Sequence, residues 1–373
     1  MKQGSYSKVL CSLLTIAMMV IAGQQCSAQT LLFQPTPQSQ FRIGGFAKLD
    51  SIFDFDDAGN RFQFDPRTIP IGGENNQQLT LHAKQTRLNI GYKQETDYGP
   101  LEMFVEGDFF GVGDTLRLRH AYGRWDNWLA GQTWSTLVDI DSGIETLDIG
   151  GADGPINIRR PQLRCTIPVQ KNLIWNLSME DNTAVLSGNV DGETRNRIPV
   201  FASGFRWGNE RNHLYCFQGI SEARFVPDSG GEQTAPIWVI GLSGRVSLAN
   251  GDSFVARVLG GDGADALVNF EPTINPISSI DTLGGYFFDT GYKHYWNEKL
   301  RSNIAFRLAG LETAPDRPDD SLRRNQYFAT NLIWQPVKNV DIGIEYLFGE
   351  RINRIFESGS ANRMQFSIIW RLP

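Results

Sequence analysis

The sequence predicts an all-β chain closed into a 16-stranded antiparallel transmembrane β-barrel, with short periplasmic turns and long extracellular loops. Three observations carry that prediction. Beyond the first 28 residues, apolar and polar residues alternate with a period of two almost to the last residue, as strands do when one face meets an apolar medium and the other meets water. The connections between the alternating segments are by turns short and long, as they are when one rim of a barrel carries tight turns and the other carries loops. The composition is 41% hydrophobic and 11% aromatic with 38 glycines, and the mean hydropathy is -0.28. That is too aromatic for a disordered chain, and no run reaches the roughly 20 apolar residues of a membrane helix. A β-propeller needs a recurring motif every ~40 residues, and none is present.

The elements follow in order. Lys2 and Lys8 precede an apolar stretch from Val9 to Ala22, and Cys26-Ser27-Ala28 supplies small residues. Residues 1–28 therefore read as a signal peptide cleaved after Ala28, and the protein as exported. Losing two Lys and no acids moves the net charge from -6 to -8. Residues 29–40 read as a short periplasmic segment, and residues 41–373 as the barrel. In the first strand Phe41, Ile43, Ala47, Leu49 and Phe53 alternate with Arg42, Gly44, Lys48, Asp50 and Asp54; in the last, Met364, Phe366, Ile368 and Trp370 alternate with Arg363, Gln365, Ser367 and Arg371. Sixteen such segments begin near Phe41, Leu81, Leu101, Leu116, Trp128, Ile158, Leu173, Ile198, His213, Ile237, Ser253, Leu283, Leu300, Gln326, Val340 and Asn362. Short turns include Asp126-Asn127 and Pro168 to Asn172; long loops include Asp54 to Gln78, Ser135 to Asn157, Glu222 to Ala235, Gly261 to Thr282 and Arg351 to Ala361. Gly111 to Asp114 is short in a long-loop position. Aromatic residues such as Trp128, Trp207, Trp296 and Trp334 stand near strand ends, where membrane interfaces favour them. Cys165 and Cys216, in separate apolar stretches, read as lipid-facing or packed residues rather than a bridge.

A barrel of this size holds an aqueous channel. Basic residues outnumber acids on the inward phase: Arg42, Lys48, Arg87, Lys93, Arg117, Arg119, Arg164, Arg206, Arg245, Arg257, Lys293, Arg301, Arg307 and Arg363 stand against Asp50, Glu102, Glu106, Asp108, Glu180, Asp289, Asp341 and Glu345. Such a wall attracts small anions, although the same charges paired across strands would serve only to keep the lumen wet. The densest group is Arg117 and Arg119 with Arg159, Arg160 and Arg164, with Glu102, Glu106 and Asp108 on the neighbouring strand. Guanidinium forks suit carboxylates and phosphates. The Ser135 to Asn157 loop, with Gly143, Gly150, Gly151, Gly154 and Pro155 to bend it, is expected to enter the lumen and set Asp139, Asp141 and Glu145 opposite the arginines. The acidic total charge and the lack of any Lys/Arg run set nucleic acid aside.

Catalytic chemistry is not written in the chain. His82, His120, His213 and His294 lack ligand spacing and read as interface or loop residues, and no G-x-S-x-G, H-E-x-x-H or P-loop is present. No metal site and no cofactor is expected. Gly260 to Val268 fits one copy of a calcium-binding nonapeptide, which cannot stack with neighbours and so reads as a loop. Two other classes stay open: a barrel-embedded lipid hydrolase, for which His120 with Ser135 or Ser142 is the only candidate, and a non-conducting surface barrel.

Several motifs resemble a known family. LRLRHAYG (Leu116 to Gly123), AGQTWST (Ala130 to Thr136), VEGDFFG (Val105 to Gly111), ETLD (Glu145 to Asp148), RRPQLRCT (Arg159 to Thr166) and QPVKNVDIGIEYLFGER (Gln335 to Arg351) are similar to the DcaP-like porins. The resemblance implies a homotrimeric channel in the bacterial outer membrane, embedded among lipopolysaccharide and other lipids, whose third loop narrows the lumen and which admits small hydrophilic, often anionic, solutes. Some members carry a coiled-coil stalk before the first strand; residues 29–40, with Pro35 and Pro37, are too short for one. The chain ends Trp370-Arg371-Leu372-Pro373 rather than in an aromatic residue.

Overall fold

The computed structural model describes residues 39–73, 76–151, 156–183, 191–268, 284–313 and 317–372. The expected signal peptide and most of the 29–40 segment lie outside them. Among the described residues the chain is β-sheet throughout, apart from single turns of 3-10 helix and one short helix. The strands in chain order are β1 (Ser39–Asp54), β2 (Gln78–His82), β3 (Arg87–Thr96), β4 (Gly99–Asp108), β5 (Arg117–Trp125), β6 (Trp128–Trp134), β7 (Arg159–Gln170), β8 (Leu173–Glu180), β9 (Gly192–Thr194), β10 (Val200–Gly208), β11 (His213–Pro227), β12 (Gln233–Ser247), β13 (Ser253–Asp262), β14 (Gly284–Asn297), β15 (Leu300–Leu311), β16 (Leu322–Val337), β17 (Val340–Asn353) and β18 (Ser358–Arg371), with α1 (Ala264–Val268) after β13.

Apart from two interrupted staves, sequence-neighbouring strands pair antiparallel, and β1 pairs with β18, which closes the sheet. The eighteen segments make sixteen staves. The lower half of β1 pairs with β3 and its upper half with β2, so β2 and β3 are one interrupted stave. Likewise β9 extends β10 along β11. Between His82↔Asp50 and Arg87↔Phe46 the β2–β3 stave holds one residue more than β1, so the break leaves His82 and Arg87 on the same, inner face.

The alternation has the physical origin the sequence suggested. Leu49, Leu81, Leu88, Leu118, Phe201, Ile220, Trp238, Phe254 and Phe366 face outward and are exposed, whereas their neighbours Lys48, Asp50, Arg257, Arg307, Glu345 and Arg363 face inward and are buried. Unlike a water-soluble domain, the chain places its greasy surface outside. Cys165 and Cys216 are free thiols on that outer phase.

Two expected loops prove to be mostly strand. The β11–β12 connection is only residues 228–232, and the β17–β18 connection only residues 354–357. Above the bilayer the outward positions no longer need to be apolar, as Glu222 and Arg224 show, so the alternation fades while the hydrogen-bonded ladder continues. Gly260 to Val268 is also no loop: it ends β13, turns at Gly263 (φ 61°) and forms α1, whose Leu267 and Val268 are buried against the inner wall.

Among the described residues, parts of the first loop, the third loop and α1 occupy the inside. In the first loop, Phe64 and Ile69 join a cluster with Ala305, Tyr327, Ala329, Leu347 and Ala361 of β15–β18. A Cβ on Gly349 would come within 2.9–3.0 Å of Pro66, Ile69 and Phe64, so that wall position admits the loop only as glycine. Leu137 and Ile156 of the third loop, together with α1, fill a second cluster on β10–β16.

Candidate functional site: the third loop and the arginine wall

From Ser135 to Asp148 the third loop walks around the inner wall stave by stave. At its start Glu180 of β8 accepts from Ser135 Oγ (2.5 Å) and the Thr136 amide (2.7 Å), and Tyr215 of β11 donates to the Thr136 carbonyl (2.6 Å). Asp139 then accepts from Ser243 of β12 (2.7 Å) and meets His213 Nε2 of β11 at 2.8 Å, and Asp141 pairs with Arg206 of β10 (2.5 Å). Glu145 is held by Arg301 of β15 and Lys293 of β14, both at 2.6 Å. At the far end Glu345 of β17 accepts from the Leu147 and Asp148 amides (2.9 and 2.7 Å), and the Leu147 carbonyl accepts from Gln365 of β18 (3.1 Å) and Lys48 of β1.

Inner-wall glycines seat the loop between these polar clips. A Cβ on Gly219 would fall 3.0 Å from Leu137, one on Gly291 2.7 Å from Ile144, and one on Gly343 2.9 Å from Leu147. Sequence reasoning missed all three, and also missed His213 and Ser243 as anchors. The available signal was weak: glycine on the inward phase of three strands, unremarkable in a chain with 38 glycines.

The loop's acids therefore lie elsewhere than expected. Asp139, Asp141 and Glu145 do not point across the lumen at the β5 and β7 arginines; they turn back onto bases of the wall that carries the loop. A buried carboxylate is stable only with such partners. Burial pushes the Asp139 carboxyl up, but hydrogen bonds from His213, Ser142 and Ser243 outweigh it and bring it down to about 2. Burial likewise opposes ionisation of Glu145, and Arg301 with Lys293 overcomes it, again to about 2.

The described contacts of the loop run from β8 round to β1. The complementary wall, β3 to β6, bears the arginines. Arg117 makes a two-pronged bond to Asp108 (2.9 and 2.7 Å) and remains 40% exposed. Arg119 bridges Glu106 (3.0 Å) and Asp108 (2.8 Å) and is nearly buried. A bulge explains why so many polar groups gather there: Gly107 pairs with Leu118 and Glu106 with His120, so Arg119 is an extra residue, and Arg117, Arg119 and His120 all reach polar partners of the inner wall. Arg87 lies 3.8 Å from Glu106 with its guanidinium over Phe46. Lys93 pairs with Glu102 (2.5 Å) near the short-turn rim, where Arg42 is exposed.

Other expected members of the group are dispersed. Arg160 is completely buried, 3.8 Å from Glu180 and donating to the Leu267 carbonyl (2.7 Å), because α1 closes over it. Arg164 shares its face but donates to Gln162 and the Trp134 carbonyl. Arg159 is out of phase with both, stacked on Trp134 at 4.7 Å, yet close enough to feel Arg119, Arg117 and Arg87. Lys48 is buried with Asp50 (3.1 Å) beneath the loop.

The histidines also differ from expectation. His120 is buried against Thr133 (3.0 Å) and Trp134, and His213 lies under the third loop. His120 is thus engaged with Thr133, while Ser135 bonds Glu180 and Ser142 bonds Asp139 (2.5 Å). Ser142, His213 and Asp139 do meet, but the same ring nitrogen, Nε2, faces both the carboxylate (2.8 Å) and the hydroxyl (3.3 Å). A hydrolytic triad needs one imidazole nitrogen for each partner.

The fold has counterparts among solved structures. The outer membrane channel DcaP of Acinetobacter baumannii superposes with a TM-score of 0.79 at 20% identity, covering 91% of this chain and 99% of that one. An anion-selective porin from Comamonas acidovorans gives 0.62 at 10% identity over 90% and 100% of the two chains. OmpT of Vibrio cholerae in its trimer form gives 0.59 at 8% identity over 90% and 99%. No curated protein sequence is significantly similar to this one. The family model for the DcaP outer membrane protein matches residues 23–367. A closed sixteen-stave barrel with its apolar face outward, loops folded against its inner wall and that sequence match lead to one conclusion: the chain belongs to the DcaP outer membrane protein family, a family of porin-like channels.

Proposed function

We propose that this channel passes small hydrophilic solutes passively with a preference for small anions, works as a homotrimer, and carries out no catalysis. The observation that carries the reading is the arginine array on the stretch of wall where the third loop has no described contact. There Arg87, Arg117 and Arg119, with Arg159 beside them, face two carboxylates, Glu106 and Asp108. The loop's own acids are spent on their own side of the barrel, so they do not cancel this excess. An anion exchanging water for a guanidinium fork loses little, and several weak sites in a row let it leave again. The anion selectivity of the structurally similar Comamonas porin and the trimer form of the Vibrio protein point the same way.

Reversal potentials across a planar bilayer with a tenfold KCl gradient test the reading. The native channel should give the sign of chloride preference, and Arg117→Ala with Arg119→Ala should move the potential toward the cation side. A cation-selective native channel would overturn it.

A further inference from the structure

One concavity on the outside of the barrel is unlike the rest of the lipid-facing wall. It lies at the long-loop ends of β13 to β17, measures about 940 Å³, and is bordered by Arg323, Arg324, Tyr286, Ile352, Phe356 and Glu312. Strict alternation would send one of two consecutive arginines into the lumen. Here Leu322 pairs with Asn353 and Arg324 with Ile352, so Arg323 is the extra residue of a bulge and both arginines border the outer hollow. Arg323 lies over the Phe356 ring at 4.3 Å and donates to Thr313 (3.2 Å). Arg324 is exposed and has no carboxylate partner among the described residues. Among the described residues most arginines of this barrel are in ion pairs, and Arg323 and Arg324 have none there; two such cations at the edge of the apolar belt suit an external anion.

The floor of the hollow is apolar and continues down the bilayer face. Tyr286 is 48% exposed and Phe356 70%, and Phe288, Phe306 and Ile304 lie below them on the same face. Glu312 and Asp262 border the same hollow, so its sign is mixed and a lone monoanion gains little there. A ligand with more than one phosphate, partly neutralised by divalent cations and carrying acyl chains, satisfies the arginines, the carboxylates and the apolar floor together. We infer that this hollow is a docking site for the phosphorylated, acylated glycolipid of the outer leaflet, with Arg323 and Arg324 holding a phosphate and the Tyr286–Phe288 face holding an acyl chain. The neighbouring β11, β12, β14 and β16–β18 are 14 to 16 residues long, and the hollow lies at the long-loop end of this wall.

Native mass spectrometry of the detergent-purified protein tests the site, with Kdo2-lipid A in Mg²⁺ as the probe and phosphatidylglycerol as the comparison. The wild type should retain lipid A in preference to phosphatidylglycerol, and R323Q/R324Q should bind lipid A at least tenfold more weakly while keeping heat-modifiable mobility and native conductance. Should the double variant fail to fold, Arg324→Gln alone, at an exposed side chain, should still lower lipid A retention. Equal lipid A binding by wild type and variant, or equal retention of phosphatidylglycerol, overturns the inference. Because conductance is read on the same samples, that failure is distinct from a failure of the channel reading.

Discussion

Asp108 accepts hydrogen bonds from both Arg117 and Arg119, and this one carboxylate sets how much of their charge reaches the channel. Arg119 is also tied to Glu106, so Arg117, the more exposed of the two, is the one a passing solute meets. Asp108→Asn keeps the shape and removes one negative charge, and should increase the preference for chloride over potassium in a reversal-potential measurement. An unchanged potential would mean that these groups lie off the conduction path. Arg119→Met should instead lower thermal stability by roughly 3 kcal/mol, since it leaves two carboxylates short of a partner in a poorly hydrated place; the shift in unfolding temperature measures it.

At the scale of the element, the third loop is fastened by ionised carboxylates, which makes its docking depend on pH. The Asp139 and Glu145 pKa values are lowered to about 2 when the loop is docked, against roughly 4 in a free chain. A depressed carboxylate contributes stability that is fully present above its free value and is lost as pH falls through its docked value. The loop should therefore stay fixed above about pH 5 and loosen between about pH 4 and pH 2, seen as rising current noise and conductance in single-channel recordings. A conductance flat to pH 2 would place the fastening in the apolar seats instead. Those seats have their own test. Gly343→Leu fills the space Leu147 occupies and should raise single-channel conductance at neutral pH, whereas Gly123→Ala on the outer face of β5, where a Cβ would meet nothing closer than 3.8 Å, should not.

At the scale of the whole molecule, the barrel is lopsided. Strands β4 to β8 run only 7 to 12 residues, and β2, paired with β1 on one side, stands above the β4–β5 hairpin with Leu79 and Leu81 about 60% exposed. A free strand edge with apolar side chains is a template for association. This low wall is where the proposed trimer should meet, so Leu79→Lys with Leu81→Lys should convert a slow, heat-sensitive band in mild detergent electrophoresis to a monomer that still shows a β-rich circular dichroism spectrum. Persistence of the oligomer would move the interface to another face.

The sixteen staves and their phase were legible in the sequence because the bilayer imposes a period of two on every membrane-spanning strand, whereas the long-loop lengths were not, since β11–β12 and β17–β18 continue as ladder above the apolar belt. The bias of the inner wall toward arginine was legible for the same reason: the inward phase is fixed once the outward phase is known. What the pattern could not reach was the partner of each charge. Arg117 and Arg160 both belong to the densest basic group of the sequence, yet one stays exposed and the other disappears beneath α1, because a helix from another loop covers it. Nor does any local pattern distinguish Gly343 from a turn glycine; only Leu147, 196 positions away in the chain, makes it a seat. The bulges at Arg119 and Arg323 shift the phase by one residue with no mark in the composition, since they answer to the ladder formed with the neighbouring strand. Strand phase is a local property and the solvent writes it into the sequence, whereas charge pairing and loop docking are long-range choices that the closed barrel makes.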